Sequence, residues 1–242
     1  MKAIVRAVPF LVSILALAFA FLALAVALQG ALALLRRSPG LRGAQIALPP
    51  AFPGKLGPLI AAAVRQLLSI LDTYVALLIA IGASIYRFAY ALPDPAAYPI
   101  LSLLIALALS TYAQCLFTLD SPSSATRYGL LPLSSREIIL AKDAAYLGVI
   151  LLLTLPLSPM AGISFALVSL AIGRIPLRVF HSTQSRWRFM GGRFIFGVLQ
   201  VTLGSALGLA AADRSPLFGV IAFAGYIVSA LTIPRKLIPA AR

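Results

Sequence analysis

The sequence predicts an all-α, polytopic membrane protein, and three observations predict it. The first is a set of long uncharged runs. Ala144–Gly173 passes thirty residues without a charge, and Ala7–Leu35, Pro95–Leu119, Phe194–Ala212 and Ser215–Pro234 are also uncharged throughout. The second is composition: 61% of residues are hydrophobic and 11% charged, where a soluble domain carries about 25% charged residues; mean hydropathy is +1.01. The third is where the charges fall, which is between the runs. A chain of 242 residues has too little interior to hide that much apolar surface from water. Lipid is therefore the expected solvent, and helices are the expected form, because they satisfy their own backbone polar groups.

The elements follow in chain order. A helix crosses the hydrocarbon core in about 20 residues, which places spans near 9–34, 72–92, 97–118, 138–156, 159–177, 194–212 and 216–234. The first begins like a signal peptide, with Lys2 and Arg6 ahead of an apolar stretch. That stretch outruns the usual apolar region of about 7–15 residues. Cleavage near Ala31 would also leave the basic loop Arg36–Arg65 outside. Residues 1–35 are expected to stay as an isolated transmembrane span. Residues 36–58, rich in Pro, Gly and Arg, read as a cytoplasmic linker. Residues 59–236 form a six-span unit and residues 237–242 a cytoplasmic tail.

Two spans need argument. The span at 72–92 carries Asp72 and Arg87 close to its ends, where Arg87 can snorkel to headgroups. The run Ala144–Gly173 is read as two helices. A single helix of that length would be about 45 Å long, and Pro156-Leu157-Ser158-Pro159 in its middle makes a good turn. Parity supports the same division. With two helices, Arg127, Arg136 and Lys142 share a side with Arg174, Arg178, Arg186, Arg188 and Arg193. Of the 20 lysines and arginines, only Lys2, Arg6, Arg87 and Arg214 then fall outside. The sixteen others mark the cytoplasmic face, with the C-terminus inside the cell (plasma or inner) membrane. The same distribution explains the net charge of +14 without a nucleic-acid partner.

The chemistry of the chain is mostly bounded by absences. No P-loop sequence occurs, so ATP is not expected to bind here through one. The acids Asp72, Asp94, Asp120, Glu137, Asp143 and Asp213 form no DxxD or ExxE cluster of the kind that holds Mg²⁺ against a diphosphate. None is expected at mid-span. Cys115 and His181 are single, which argues against a disulfide or a multi-histidine site. No catalytic residue, metal or cofactor is expected.

The informative segment is Asp120–Asp143, DSPSSATRYGLLPLSSREIILAKD. Ser134-Ser135-Arg136-Glu137 is a capping box, in which the Ser134 hydroxyl and Glu137 carboxylate exchange bonds with each other's backbone amides. It predicts a helix from Ser135. Before it, Ala125–Leu131 can form a short helix stopped by Pro132. In order, Arg127, Leu130, Leu131, Pro132, Ser134, Arg136, Glu137, Ile138, Leu140 and Lys142 resemble the first cytoplasmic loop of ABC-2 type exporter permeases. There a short helix ending in Leu-Leu-Pro precedes Ser-x-Arg-Glu-Ile-x-Leu-x-Lys. Ala63-Val64-Arg65-Gln66-Leu67 resembles the family's amphipathic elbow helix, with Arg65-Gln66 in place of the usual basic–acidic pair. The resemblance covers about residues 58–236.

It implies a six-span ABC-2-like helical bundle preceded by one extra span, which is how the last span of a first permease half would stand. It further implies a transport subunit with no enzyme activity of its own. The expected partners are a cytoplasmic ABC ATPase, a second permease half or a homodimer partner, and membrane lipids. Arg127, Leu130, Leu131, Pro132, Arg136, Glu137 and Lys142 would couple to the ATPase. The alternative is a membrane-embedded enzyme acting on a lipid or polyprenyl substrate, which clustered acids would favour. A non-transporting membrane assembly partner is a third reading.

Small residues recur at four-residue spacing: Asp72, Ala76, Ala80 and Ser84; Ser102, Ala106, Ser110 and Gln114; and Gln200, Gly204, Gly208 and Ala212. Close helix packing explains such stripes. A lateral pathway or subunit seam through Ser110, Gln114, Gln200, Gly204 and Gly208 is the functional reading. The five arginines of 174–193, with Phe180, His181, Trp187 and Phe189, serve as topogenic charge or as a second contact to the ATPase or to anionic headgroups.

Overall fold

A computed structural model describes residues 56–90, 93–116, 133–175 and 193–232. The expected span at 9–34, the linker, the tail, and the segment holding Arg127, Leu130, Leu131 and Pro132 lie outside the described residues. Every regular element among the described residues is helical. In chain order these are α1 (Gly57–Leu67), α2 (Leu71–Ala89), α3 (Ala97–Ala108), α4 (Ser110–Gln114), α5 (Ser135–Thr154), α6 (Pro159–Gly173), α7 (Phe194–Asp213) and α8 (Leu217–Leu231).

Helix α6 is the centre. It packs against α3, α4, α5, α7 and α8, and eleven of its fifteen residues are buried. Its apolar residues go all the way round, which is what a helix with neighbours on every side requires. Around it, α1 lies on α5 and α2 on α3. Tyr112 of α4 and Tyr146 of α5, both wholly buried, stack with ring centroids 5.6 Å apart.

The thirty-residue run is two helices, as its prolines predict. Helix α5 ends at Thr154, α6 begins at Pro159, and the turn is tied by the Leu157 amide donating to the Thr154 carbonyl at 2.9 Å. The start of α5 is also as expected. Ser134 Oγ accepts from the Glu137 amide at 3.3 Å, and the Glu137 carboxylate accepts from the Ser134 amide at 2.7 Å.

Among the described residues, two helices are long and apolar enough to cross a membrane: α2 with 19 residues and α7 with 20. Both differ from the core helix of a soluble protein, because only 33% and 22% of their apolar windows are buried. On α2, Asp72, Ala76 and Ala80 face inward, while Leu77, Ile81, Ile85 and Phe88 are exposed. Other expected spans are shorter as helices. Helices α6 and α8 have fifteen residues each, a rise of about 22 Å against a core of about 30 Å. The expected span 97–118 breaks at the buried Leu109, where two i→i−3 bonds (Leu109 to Ala106, Tyr112 to Leu109) tighten the chain between α3 and α4. Helix α5 has span length but carries Arg136, Glu137, Lys142 and Asp143 in its first half.

Hydrogen bonds sort the helix ends into two groups. At one end the Arg136 guanidinium donates to the Leu231 carbonyl at 2.9 Å, joining the start of α5 to the close of α8. There too the Arg193 amide donates to Gln114 Oε1 at 2.7 Å, joining α7 to α4. At the other end Arg87, closing α2, donates to the carbonyls of Pro156 and Leu157 in the α5–α6 turn and stands over the Tyr98 ring at 5.0 Å. Arg87 is therefore held by backbone carbonyls and an aromatic face at the end opposite Arg136 and Arg193, the relation that the two-helix parity requires.

Candidate functional site

Two polar constellations lie inside this apolar unit. The first joins α5, α6 and α8. Asp143 is wholly buried, and its Oδ2 accepts from Arg174 Nη2 and, at 3.1 Å, from the Tyr226 hydroxyl. Arg174, 8% exposed, also donates to the Tyr226 carbonyl at 3.3 Å and stacks over the Tyr226 ring at 4.5 Å. One guanidinium thus meets a carboxylate, a carbonyl and an aromatic face, which is the company a buried charge needs. Asp143 Oδ1 and Arg174 Nε have no partner among the described residues.

This cluster adds to two expectations. Asp143, which falls in the expected span 138–156 away from its middle, is wholly buried, and Arg174 is an interior ion-pair partner as well as the first arginine of its loop. The signal was present in the sequence. Asp143 stands fifteen residues before Ser158 and Arg174 fifteen after Pro159. Folding the run into a hairpin at that turn brings the two side by side.

The second constellation is a seam between α4, α6 and α7. Gln200, wholly buried, accepts from Gln114 Nε2 at 2.6 Å. Its own amide donates to the Ser169 carbonyl at 2.9 Å and the Ser110 carbonyl at 3.5 Å. Gln114 turns its oxygen to the Arg193 amide, supplying a cap from another element to the start of α7. Below Gln200 the glycines set the spacing. A Cβ on Gly204 would stand 2.8 Å from Phe165 Cδ2, and one on Gly208 would stand 3.0 Å from the Ala161 carbonyl oxygen. These glycines permit α7 to lie directly on α6. The structure thus brings Ser110, Gln114 and Gln200 together, with Gly204 and Gly208 continuing the same face of α7 against α6.

On the outer side of the seam lies an open groove of about 360 Å³. Thr111, Gln114, Arg193, Phe194, Val198 and Val201 line it. Thr111 was not singled out in the sequence; it donates to Asp72 Oδ2 at 3.1 Å and so links α4 to the start of α2.

Of the expected coupling residues, three are described, and each has a structural bond. Glu137 closes the capping box. Arg136 covers the last carbonyl of α8. Lys142 is 3% exposed, with its Nζ donating to the Leu116 carbonyl at 2.5 Å and to Gln66 Oε1 at 3.5 Å. Lys142 thus ties α5 to α1 and to the end of α4, and its burial leaves it no surface to offer a partner. Among the described residues no three metal-ligating side chains converge.

No family model, curated protein or solved structure matches this chain. Among the described residues, the geometry itself defines an all-helical architecture with two helices long and apolar enough to span a membrane.

Proposed function

We propose that this chain is a membrane-spanning permease subunit of an ATP-driven exporter of the ABC-2 type, working with a separate cytoplasmic ATPase and a second permease half or copy of itself. It would sit in the cell inner (plasma) membrane with its C-terminus cytoplasmic. The observation that carries the reading is the segment Arg127–Lys142. Its order of residues resembles the family's coupling loop, and its described part opens α5 with a complete capping box.

The bonds around that segment support a route for force. A push on the residues before Ser134 reaches α5 at its first turn. From there Arg136 leads to α8, Lys142 leads to α1 and α4, and Asp143 leads to α6 and α8. Movement of one ATPase contact would therefore be felt by most of the unit at once. The exposed apolar faces of α2, α7 and α8 support a lipid surround.

The test is association with the ATPase. Leu130→Asp combined with Leu131→Asp should abolish recovery of a P-loop ATPase that co-purifies in detergent, while membrane insertion is kept. Burying two leucines contributes on the order of 3–6 kcal/mol before ordering costs. Undiminished recovery with the double variant would remove the coupling assignment and most of the case for a transporter.

A further inference from the structure

We infer that the groove between α4 and α7 is a binding site for the headgroup of an anionic phospholipid. Three features of the groove select that occupant. Arg193 is exposed and lines it, and a guanidinium suits a phosphate because it presents paired donors to paired oxygens. Thr111 and Gln114 add polar atoms to the same lining, and Thr202 adds one further along α7; their hydroxyl and amide groups also bond within the protein, so Arg193 is the charged donor that the groove offers. The remaining wall is Phe194, Val198 and Val201, which share one side of α7 over two turns. A free phosphate would leave that wall unused. A lipid uses both parts, with its phosphodiester at Arg193 and an acyl chain along α7.

Location agrees with charge. The groove opens at the end of the unit that also holds Arg136, and there the positive end of the α7 dipole adds to the attraction. Gly197 supplies the room: a Cβ there would meet only Gln114 Nε2, at 3.9 Å. The inference rests on the membrane reading of α7 and not on ATPase coupling, so ATPase recovery separates the two.

Spin-labelled phosphatidylglycerol, with spin-labelled phosphatidylcholine as the neutral control, tests it on the full chain in phosphatidylcholine nanodiscs. The motionally restricted fraction should favour phosphatidylglycerol. Arg193→Gln should cut that preference about five-fold, the worth of one basic residue at an anionic surface, and Arg193→Lys should keep most of it. Gly197→Phe fills the groove and should lower the preference with Arg193 still in place, while inorganic phosphate at millimolar concentration should not displace the lipid. Equal restriction of the two lipids would overturn the inference. So would an unchanged preference in Arg193→Gln or Gly197→Phe, or displacement by inorganic phosphate. Both positions are exposed or open, and an unshifted melting temperature shows that each variant is folded.

Discussion

Removing Arg174 should destabilise this protein more than removing Asp143. Both side chains are buried, but what each leaves behind differs. In Arg174→Met, the Asp143 carboxylate stays wholly buried with one remaining bond, from the Tyr226 hydroxyl at 3.1 Å. Breaking a buried pair from one side costs about 3–5 kcal/mol, because a charge is left uncompensated. In Asp143→Leu, Arg174 keeps the Tyr226 carbonyl at 3.3 Å and the Tyr226 ring at 4.5 Å. It also sits at the end of α6, where a long side chain can swing its head outward, so the cost should fall at or below the lower bound. The double variant Asp143→Leu with Arg174→Met leaves no charge to strand and should lie close to the wild type or above it. For a chain of this size, about 4 kcal/mol corresponds to a fall of roughly 8–16 °C in melting temperature. Melting in detergent, followed by loss of the monodisperse peak, reads all four proteins. Single-variant shifts below about 2 °C, or losses that simply add in the double variant, would mean that the pair is solvated and that the interior cluster is misjudged.

Other outcomes follow from the same geometry. Gly173→Ala should destabilise strongly, since its Cβ would stand 2.5 Å from the Ala113 carbonyl oxygen; Gly148→Ala, with nothing within 4 Å, should stabilise by about 0.5–1 kcal/mol in the same melting assay. Ser134→Ala should cost about 1 kcal/mol by loss of the α5 cap, and a melting curve indistinguishable from wild type would argue against the cap. Gln200→Leu strands the Gln114 side chain and should cost about 1–3 kcal/mol. Ser185→Cys in a Cys115→Ser background should react with an impermeant thiol reagent only after cells are permeabilised; labelling from outside would defeat the two-helix parity.

Much of the architecture was legible in the sequence because apolar runs and their punctuation are local. Proline marks several boundaries. Pro159 opens α6, and α2 stops at Ala89, short of the expected 92, with Tyr90 already extended. Helix α6 ends at Gly173, two residues before the Ile175-Pro176 step, short of the expected 177. The capping box placed Ser135 as the first residue of α5, three positions ahead of the apolar span beginning at Ile138. The break at Leu109 was not legible, because no glycine or proline marks it; the leucine there is wholly buried. The small-residue stripes were legible as faces, but their partners were not. Nothing in the spacing of Gln114 and Gln200 says that one amide meets the other. The Asp143–Arg174 pair is hidden for another reason: the two residues flank opposite ends of the run Ala144–Gly173, and only the hairpin turn at its middle brings them together.

That pairing bears on how Arg174 acts in two stages. On the membrane reading, orientation is set while helices insert, when a basic residue flanking a span counts whether or not it is later buried, and acids count for little. Arg174 is then one of sixteen inward-sided basic residues. Once α5 and α6 pack, it leaves the headgroup region and meets Asp143 and Tyr226. The two roles separate experimentally. Arg174→Met removes one topogenic charge of sixteen, so the sidedness of Ser185→Cys should not change, yet it removes the only cation bonded to a wholly buried carboxylate among the described residues, so stability should fall steeply. If sidedness changed together with stability, the buried pair would be steering insertion itself. α5 and α6 would then have to enter the membrane as a hairpin already joined at Asp143 and Arg174.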